Sequence, residues 1–154
     1  MKNTENCTGD FIENSRNAQY SFSLVDTENS KYIIFGVNTV RDSHDLVLIG
    51  KNQSCYELTD AGSNNNAVLF SLIISAGLSS NYCVSSENFK SCFGCVGLVN
   101  KSYCILNKQY TKEEYEKLLP RIIDHMNDMP YVDKKGRIYK YGEFFPTEFS
   151  PFAY

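Results

Sequence analysis

The chain of 154 residues carries 15 basic and 18 acidic side chains, for a net charge of −3 and a pI near 5.4. That balance gives no broad positive field for nucleic acid or an anionic membrane. The longest uncharged apolar stretch, Ala67 to Ile74, is far shorter than the roughly 20 residues a membrane helix needs, and the length suits one domain with a real core.

The opening residues, Met1 to Asn6, are polar and contain no apolar signal segment. A cytoplasmic location follows as the expectation, with the six cysteines held as reduced thiols. Two regimes then divide the chain. Residues 1–110 hold 8 basic and 10 acidic side chains and are dominated by Asn, Ser, Gly, aromatics and β-branched residues. Residues 111–154 hold 7 and 8, nearly half the charge in under a third of the length.

In residues 1–110 the short apolar runs Tyr32–Phe35, Leu46–Ile49, Val68–Ile74, Phe93–Leu98 and Tyr103–Leu106 predict strands. Tyr32, Tyr56, Tyr82 and Tyr103 recur at steps of 24, 26 and 21 residues, each after a small polar residue and before a short apolar run. A repeat of that length is the mark of a solenoid. Polar breaks also fall at about half that spacing, with Ser80, Ser91 and Ser102 separated by two steps of 11.

Asn-Gly and Asp-Gly, the favoured hairpin dipeptides, are absent, so parallel coils fit better than a meander. Turn asparagines tolerate left-handed backbone and can pass amide hydrogen bonds from coil to coil. The expectation is a mainly β chain: a right-handed parallel β-helix of about four to five coils, neighbouring coils about 4.8 Å apart. A sandwich or barrel is the rival.

Residues 111–154 are expected to pack on that stack as a capping helix and an extended aromatic tail, within one domain. Thr111-Lys112-Glu113-Glu114 has the capping-box pattern, and Tyr115, Leu118, Leu119, Ile122, Ile123 and Met126 form one apolar stripe. Pro120 inside the stripe predicts a bend or a split. The stripe would close the open apolar end of the solenoid. Beyond it, Tyr139, Tyr141, Phe144, Phe145, Phe149, Phe152 and Tyr154 are too many aromatics to leave in water. They predict packing against the coils or contact with another chain, including self-association through this tail.

The run Ser91-Cys92-Phe93-Gly94-Cys95-Val96-Gly97-Leu98, the run from Tyr103 to Glu116, the segment Tyr141-Gly142-Glu143-Phe144-Phe145-Pro146 and the segment Ser150-Pro151-Phe152-Ala153-Tyr154 resemble an uncharacterised Asn/Ser/Cys-rich repeat family. Its members come from uncultured (candidate-phyla) bacteria and some giant viruses. The likeness is strongest over residues 80–154. It implies a repeat architecture. Some members carry a CaiB/BaiF-like CoA-transferase name, but the α/β fold and nucleophilic Asp of that class have no counterpart in this sequence.

Cys83, Cys92, Cys95 and Cys104 form C-x8-C-x2-C-x8-C, the only pattern here that suggests zinc. Residues three apart on a strand face opposite sides, so Cys92 and Cys95 converge only if Gly94 bends the chain. Cys83 and Cys104, 21 apart, are expected one coil apart as stacked core residues, leaving no metal or cofactor favoured. Asp42-Ser43-His44-Asp45 collects hydrolase residue types, but neighbours in sequence rarely build a triad. His125 fits the end of a helix, where a cation meets the dipole well. Asp26, Asp42, Asp45, Glu57 and Asp60 are the carboxylates a carbohydrate-active solenoid could gather, and no phosphate-binding glycine loop occurs. The leading expectation is a non-enzymatic structural or protein-interaction module. The alternatives are a carbohydrate-binding or carbohydrate-active β-helix, and a zinc-stabilised module.

Overall fold

The structure, a computed structural model, describes residues 1–36, 39–62 and 64–143. Its ruling feature is a period of three. Positive φ at Asn14, Asn17, Tyr20, Ser23, Asp26 and Asn29 precedes the buried residues Ser15, Ala18, Ser21, Leu24, Thr27 and Ser30. Two extended residues are followed by one left-handed residue that turns a corner, and the next residue points inward. Asn and Asp suit the corner because their short polar side chains tolerate that backbone.

Four such corners make one coil. The parallel register pairs Gly9 with Ser21, Phe22 with Ile34, His44 with Tyr56 and Cys92 with Cys104, each a step of 12. Steps of 13 pair Thr27 with Val40 and Asn52 with Asn65, so the extra residue falls each time on the same wall. The result is a parallel β-solenoid of about 8 turns.

A coil is therefore half the expected length, and there are about 8 turns instead of four to five. The half-spaced polar breaks marked the coils. The four tyrosines are not equivalent: Tyr32 and Tyr82 share one row, four coils apart, Tyr56 lies in the next row, and Tyr103 is on another wall. Ser80, Ser91 and Ser102 likewise face inward, a corner and a wall in turn. Strand Val84–Phe93 ends where the Phe93–Leu98 run was expected to begin, because Gly94 and Gly97 both turn left-handed.

The interior is a four-cornered tube one side chain wide per corner, and Ile12, Leu24, Ile33, Leu46, Leu58 and Val68 fill it. At Gly77 the absent side chain makes room: a Cβ there would lie 2.6 Å from Phe89 Cζ and 3.1 Å from Val68. The ladder leaves the inward residue's N–H to be paired. Small polar residues below do this by a repeated device. Ser71 Oγ donates to the Leu69 carbonyl at 2.9 Å and accepts from the Cys83 N–H at 3.0 Å. Ser15, Ser21, Ser43, Ser80 and Ser86 repeat it, and Asn52 and Asn65 do the same with their amides. Each satisfies two backbone groups that burial would otherwise leave unpaired.

The chain then closes its own end. Leu106 and Asn107, both at positive φ, form a two-residue turn that folds Lys108–Gln109 back antiparallel on Val99–Ile105. Asn107 clasps the preceding coil by accepting from the Val96 N–H and donating to its carbonyl, each at 2.8 Å. Helix α1 (Lys112–Asp128) starts at Thr111 with both capping-box bonds made. It runs through Pro120 as one element, so the expected split does not occur.

Its stripe also lies elsewhere than expected. Tyr115, Leu118, Leu119, Ile122, Ile123 and Met126 cluster with Phe70, Tyr82, Phe93 and Ile105 outside the tube. The tube is too narrow to present a broad apolar end, whereas this flank presents rows of large side chains. A small hairpin, Tyr131–Val132 with Ile138–Tyr139, follows around Asp133, whose carboxylate takes the Lys135 and Arg137 N–H groups.

Candidate interaction surface

Three-residue corners give four walls of distinct character. The first carries Glu13, Asn14, Asp26, Glu87 and Asn88, with Val25 and Val99 in register beside Glu13 and Glu87, and is mainly polar. On the second, Arg16 and Arg41 both pair with Glu28, and amides link Asn6, Asn17, Asn29 and Asp42 in a ladder with bonds of 2.9–3.1 Å. The coil-to-coil amides expected from sequence are thus present.

The third wall is aromatic in two stretches, with Asp45 and Glu57 between them in the same row. Tyr20 stacks on Tyr32 with ring centroids 5.5 Å apart, and further along the same row Phe70 stacks on Tyr82 at 5.0 Å. Its C-terminal half is covered by α1 and by Tyr141, whose ring lies 6.2 Å from Phe70 and 6.0 Å from Tyr82. Tyr20 and Tyr32, in the N-terminal half, stay exposed.

The fourth wall is apolar along almost its whole length. Register pairing places Phe22, Ile34, Val47, Thr59, Leu72, Val84 and Val96 in one straight row after Asp10. Phe11, Phe35 and Ile73 stand at the corner beside it. Phe11 is 73% exposed, Phe35 48%, Ile34 45% and Val96 49%, so the N-terminal part of the wall and Val96 are open surface, while Leu72 is half-buried and Val84 buried. Phe22 meets Phe11 and Phe35 edge-on at 5.3 and 6.1 Å. Six register steps of about 4.8 Å make the row from Phe22 to Val96 about 29 Å long. An exposed apolar strip of that extent marks an interaction surface.

The residues singled out from sequence fall as follows. Cys83, Cys92, Cys95 and Cys104 all point into the tube and are buried. Residues three apart face the same way here, so Cys92 and Cys95 do converge, with Gly94 left-handed between them. Cys104 stacks on Cys92, not on Cys83 as expected, because the coil step is 12 and not 21. The thiols act as the serines do: Cys83, Cys92 and Cys95 donate to the carbonyls of Asn81, Lys90 and Phe93. Hydrogen bonding to Cys95 and burial push the Cys83 and Cys92 thiols up. Among the described residues no group of three or more His, Cys, Asp or Glu is placed to hold a metal.

Ser43 is buried and bonded to the Arg41 carbonyl, while Asp42 and Asp45 turn corners on either side of it, so Asp42, Ser43, His44 and Asp45 form no triad. His125 is exposed in the last turn of α1. Of the candidate carboxylates, Asp45 and Glu57 are neighbours in one row, and burial raises the Glu57 carboxyl with Asp45 and Glu143 adding to it. Asp26, Asp42 and Asp60 lie on three other walls. Phe144, Phe145, Phe149, Phe152 and Tyr154 of the expected tail lie outside the described residues. No described helix is long and apolar enough to cross a membrane.

Comparison with protein families, with curated proteins and with solved structures finds no match for the chain. Sequence reasoning missed the apolar wall, although its signal is there: Phe22, Ile34, Val47, Leu72, Val84 and Val96 are separated by one or two steps of 12 or 13.

Tyr82 links wall, helix and the residues after it. Its hydroxyl accepts from the Gly142 N–H at 2.8 Å, and burial pushes its pKa up from 10.0 to about 12. A phenol that keeps its proton longer when folded adds stability that is fully present below pH 10 and is lost as pH rises through about 12. Denaturant unfolding followed across that window should show stability falling as pH rises, with Tyr115, Tyr141 and Tyr56 contributing in the same direction. Tyr82→Phe should remove Tyr82's share, on the order of 2 kcal/mol.

Proposed function

We propose that the chain is a non-enzymatic protein-interaction module, in which the solenoid is a rigid rod and its apolar wall receives a polypeptide partner. The observation that supports this reading is the straight row from Phe22 to Val96, open at Phe22, Ile34 and Val96, half-buried at Val47 and Leu72 and buried at Val84. The other three walls are mainly polar, ladder-bonded or half covered by α1. A flat wall with a fixed coil spacing suits an extended or β-structured partner, whose side chains alternate against the rows. The buried thiols support a structural role for the cysteines in a reducing, cytoplasmic setting. Asp26, Asp42 and Asp60 lie on walls other than that of Asp45 and Glu57, which favours binding over the paired acid and base of hydrolysis.

A photo-crosslinking amino acid placed in the full chain in cells tests the reading. Adducts with another polypeptide are expected from Phe22 and Ile73 but not from Asn14 or Glu87, and Ile34→Lys should abolish the Phe22 adduct. Equal adducts from both walls, or none from the apolar wall, would overturn it.

A further inference from the structure

The edge between the first and second walls is concave over much of its length. Register places Thr39, Lys51, Asn64, Ala76, Asn88 and Asn100 in one row along it, five steps of about 4.8 Å, or about 24 Å from end to end. Two depressions open on this row, of about 440 and 490 Å³, and Asn64 lines both. They adjoin as one groove running along the rod, each half within the size range of a small-molecule site.

The lining is cationic and rich in amides. Arg41 and Lys51 stand in the first half and Lys90 in the second, and no carboxylate lines either half. Arg41 reaches Glu28 at 3.8 Å, whereas Lys51 and Lys90 are exposed and take no part in the ion pairs among the described residues. Two unneutralised cations three coils apart in one groove attract an acidic ligand, although the chain as a whole carries a charge of −3. Gln53, Asn64, Asn66, Asn88 and Asn100 share the lining, and each amide carries both a donor and an acceptor. Asn88 Nδ2 donates to Asn100 Oδ1, which leaves the Asn88 oxygen to accept and the Asn100 nitrogen to donate.

Sugar hydroxyls need a donor and an acceptor together, and the amides supply both. A linear glycan also rises per sugar by close to the coil step of about 4.8 Å, so successive sugars meet successive coils. Other polyanions fit less well. Single-stranded nucleic acid needs exposed rings to stack on, and Phe89, the one ring in the lining, is buried. An acidic peptide would find one exposed large aliphatic side chain, Leu78, to anchor on.

We infer that this groove binds a linear acidic oligosaccharide, with Lys51, Lys90 and Arg41 on its carboxylate or sulfate groups and the amides on its hydroxyls. The site lies apart from the apolar wall, and neither depends on the other.

Calorimetric titration of the full chain with hexagalacturonate, and in parallel with a heparin-derived hexasaccharide, tests this. At least one is expected to bind, with an affinity that falls as salt rises. Lys51→Gln with Lys90→Gln should weaken it by about tenfold or more, and Asn88→Ala with Asn100→Ala several-fold. Lys31→Gln with Lys117→Gln removes the same charge outside the groove and should leave binding nearly unchanged. Maltohexaose, which carries no acid group, should bind far more weakly than the acidic hexamer. No binding of either acidic hexamer at millimolar concentration would overturn the site. So would equal losses from the two lysine pairs, equal binding of maltohexaose, or equally tight binding of hexaglutamate or a thymidine hexanucleotide. Crosslinking from Phe22 and Ile73 is untouched by any of these outcomes, so groove and docking wall fail separately.

Discussion

Phe89→Ala is expected to lower the free energy of unfolding by about 3–5 kcal/mol, the largest loss from any single truncation in the tube. Phe89 is the one aromatic side chain in the inner cluster, and it fits under Gly77, where no side chain competes for the space. Removing the ring leaves a void that a wall held by ladder bonds on both sides cannot collapse to fill. Gly77→Ala is expected to cost about 1–3 kcal/mol by the opposite route, since its Cβ would press on the ring from above. Joined to Phe89→Leu, the same Gly77→Ala should cost less than the sum of the two changes. Denaturant unfolding of the four proteins checks this, and strict additivity would mean that the two positions are not packed as partners.

The second large effect concerns a hydroxyl. Ser71→Ala is expected to destabilise the fold by about 1–3 kcal/mol, although it removes only one oxygen from the interior. Ser71 serves the Leu69 carbonyl in its own coil and the Cys83 N–H in the next, and alanine leaves the latter buried without an acceptor. Ser71→Cys should be milder, because Cys95 already accepts the Asn107 N–H through sulfur at 3.4 Å and donates to the Phe93 carbonyl. An unfolding midpoint for Ser71→Ala equal to that of the parent would show that water or a shifted backbone takes over the bond.

The parallel β-solenoid was legible in the sequence because asparagines and serines punctuate it and hairpin dipeptides are missing. The helix start was legible to the residue, since a capping box is a local device that needs no tertiary partner. Coil length was not. A strand read with a period of two cannot show that every third residue faces inward, and that period is set by left-handed corners at residues as unlike as Asn17, Tyr32 and Ile73. In hindsight the series Ile12, Ser15, Ala18, Ser21, Leu24, Thr27, Ser30 and Ile33, small or aliphatic throughout, carries the rule. The apolar wall was hidden for the same reason, because its residues line up only when the step is 12 or 13. The cysteines were rightly seen as core, but assigned to the wrong neighbours.

The left-handed corners also determine how such a chain reaches its fold. Among the described residues 31 non-glycine positions adopt positive φ. Each costs an L-residue about 1–2 kcal/mol outside a surrounding structure that enforces it. A single coil, with four corners and no neighbour to bond, therefore has every reason to unravel. Only a coil laid against one already formed recovers the ladder, the amide bonds and the inner serine relays at once. Folding should then begin from a nucleus of at least two coils and proceed by templating, each finished turn serving as the mould for the next. Its natural starting point is the C-terminal end, where the Leu106–Asn107 turn and α1 hold the last coils without help from further turns.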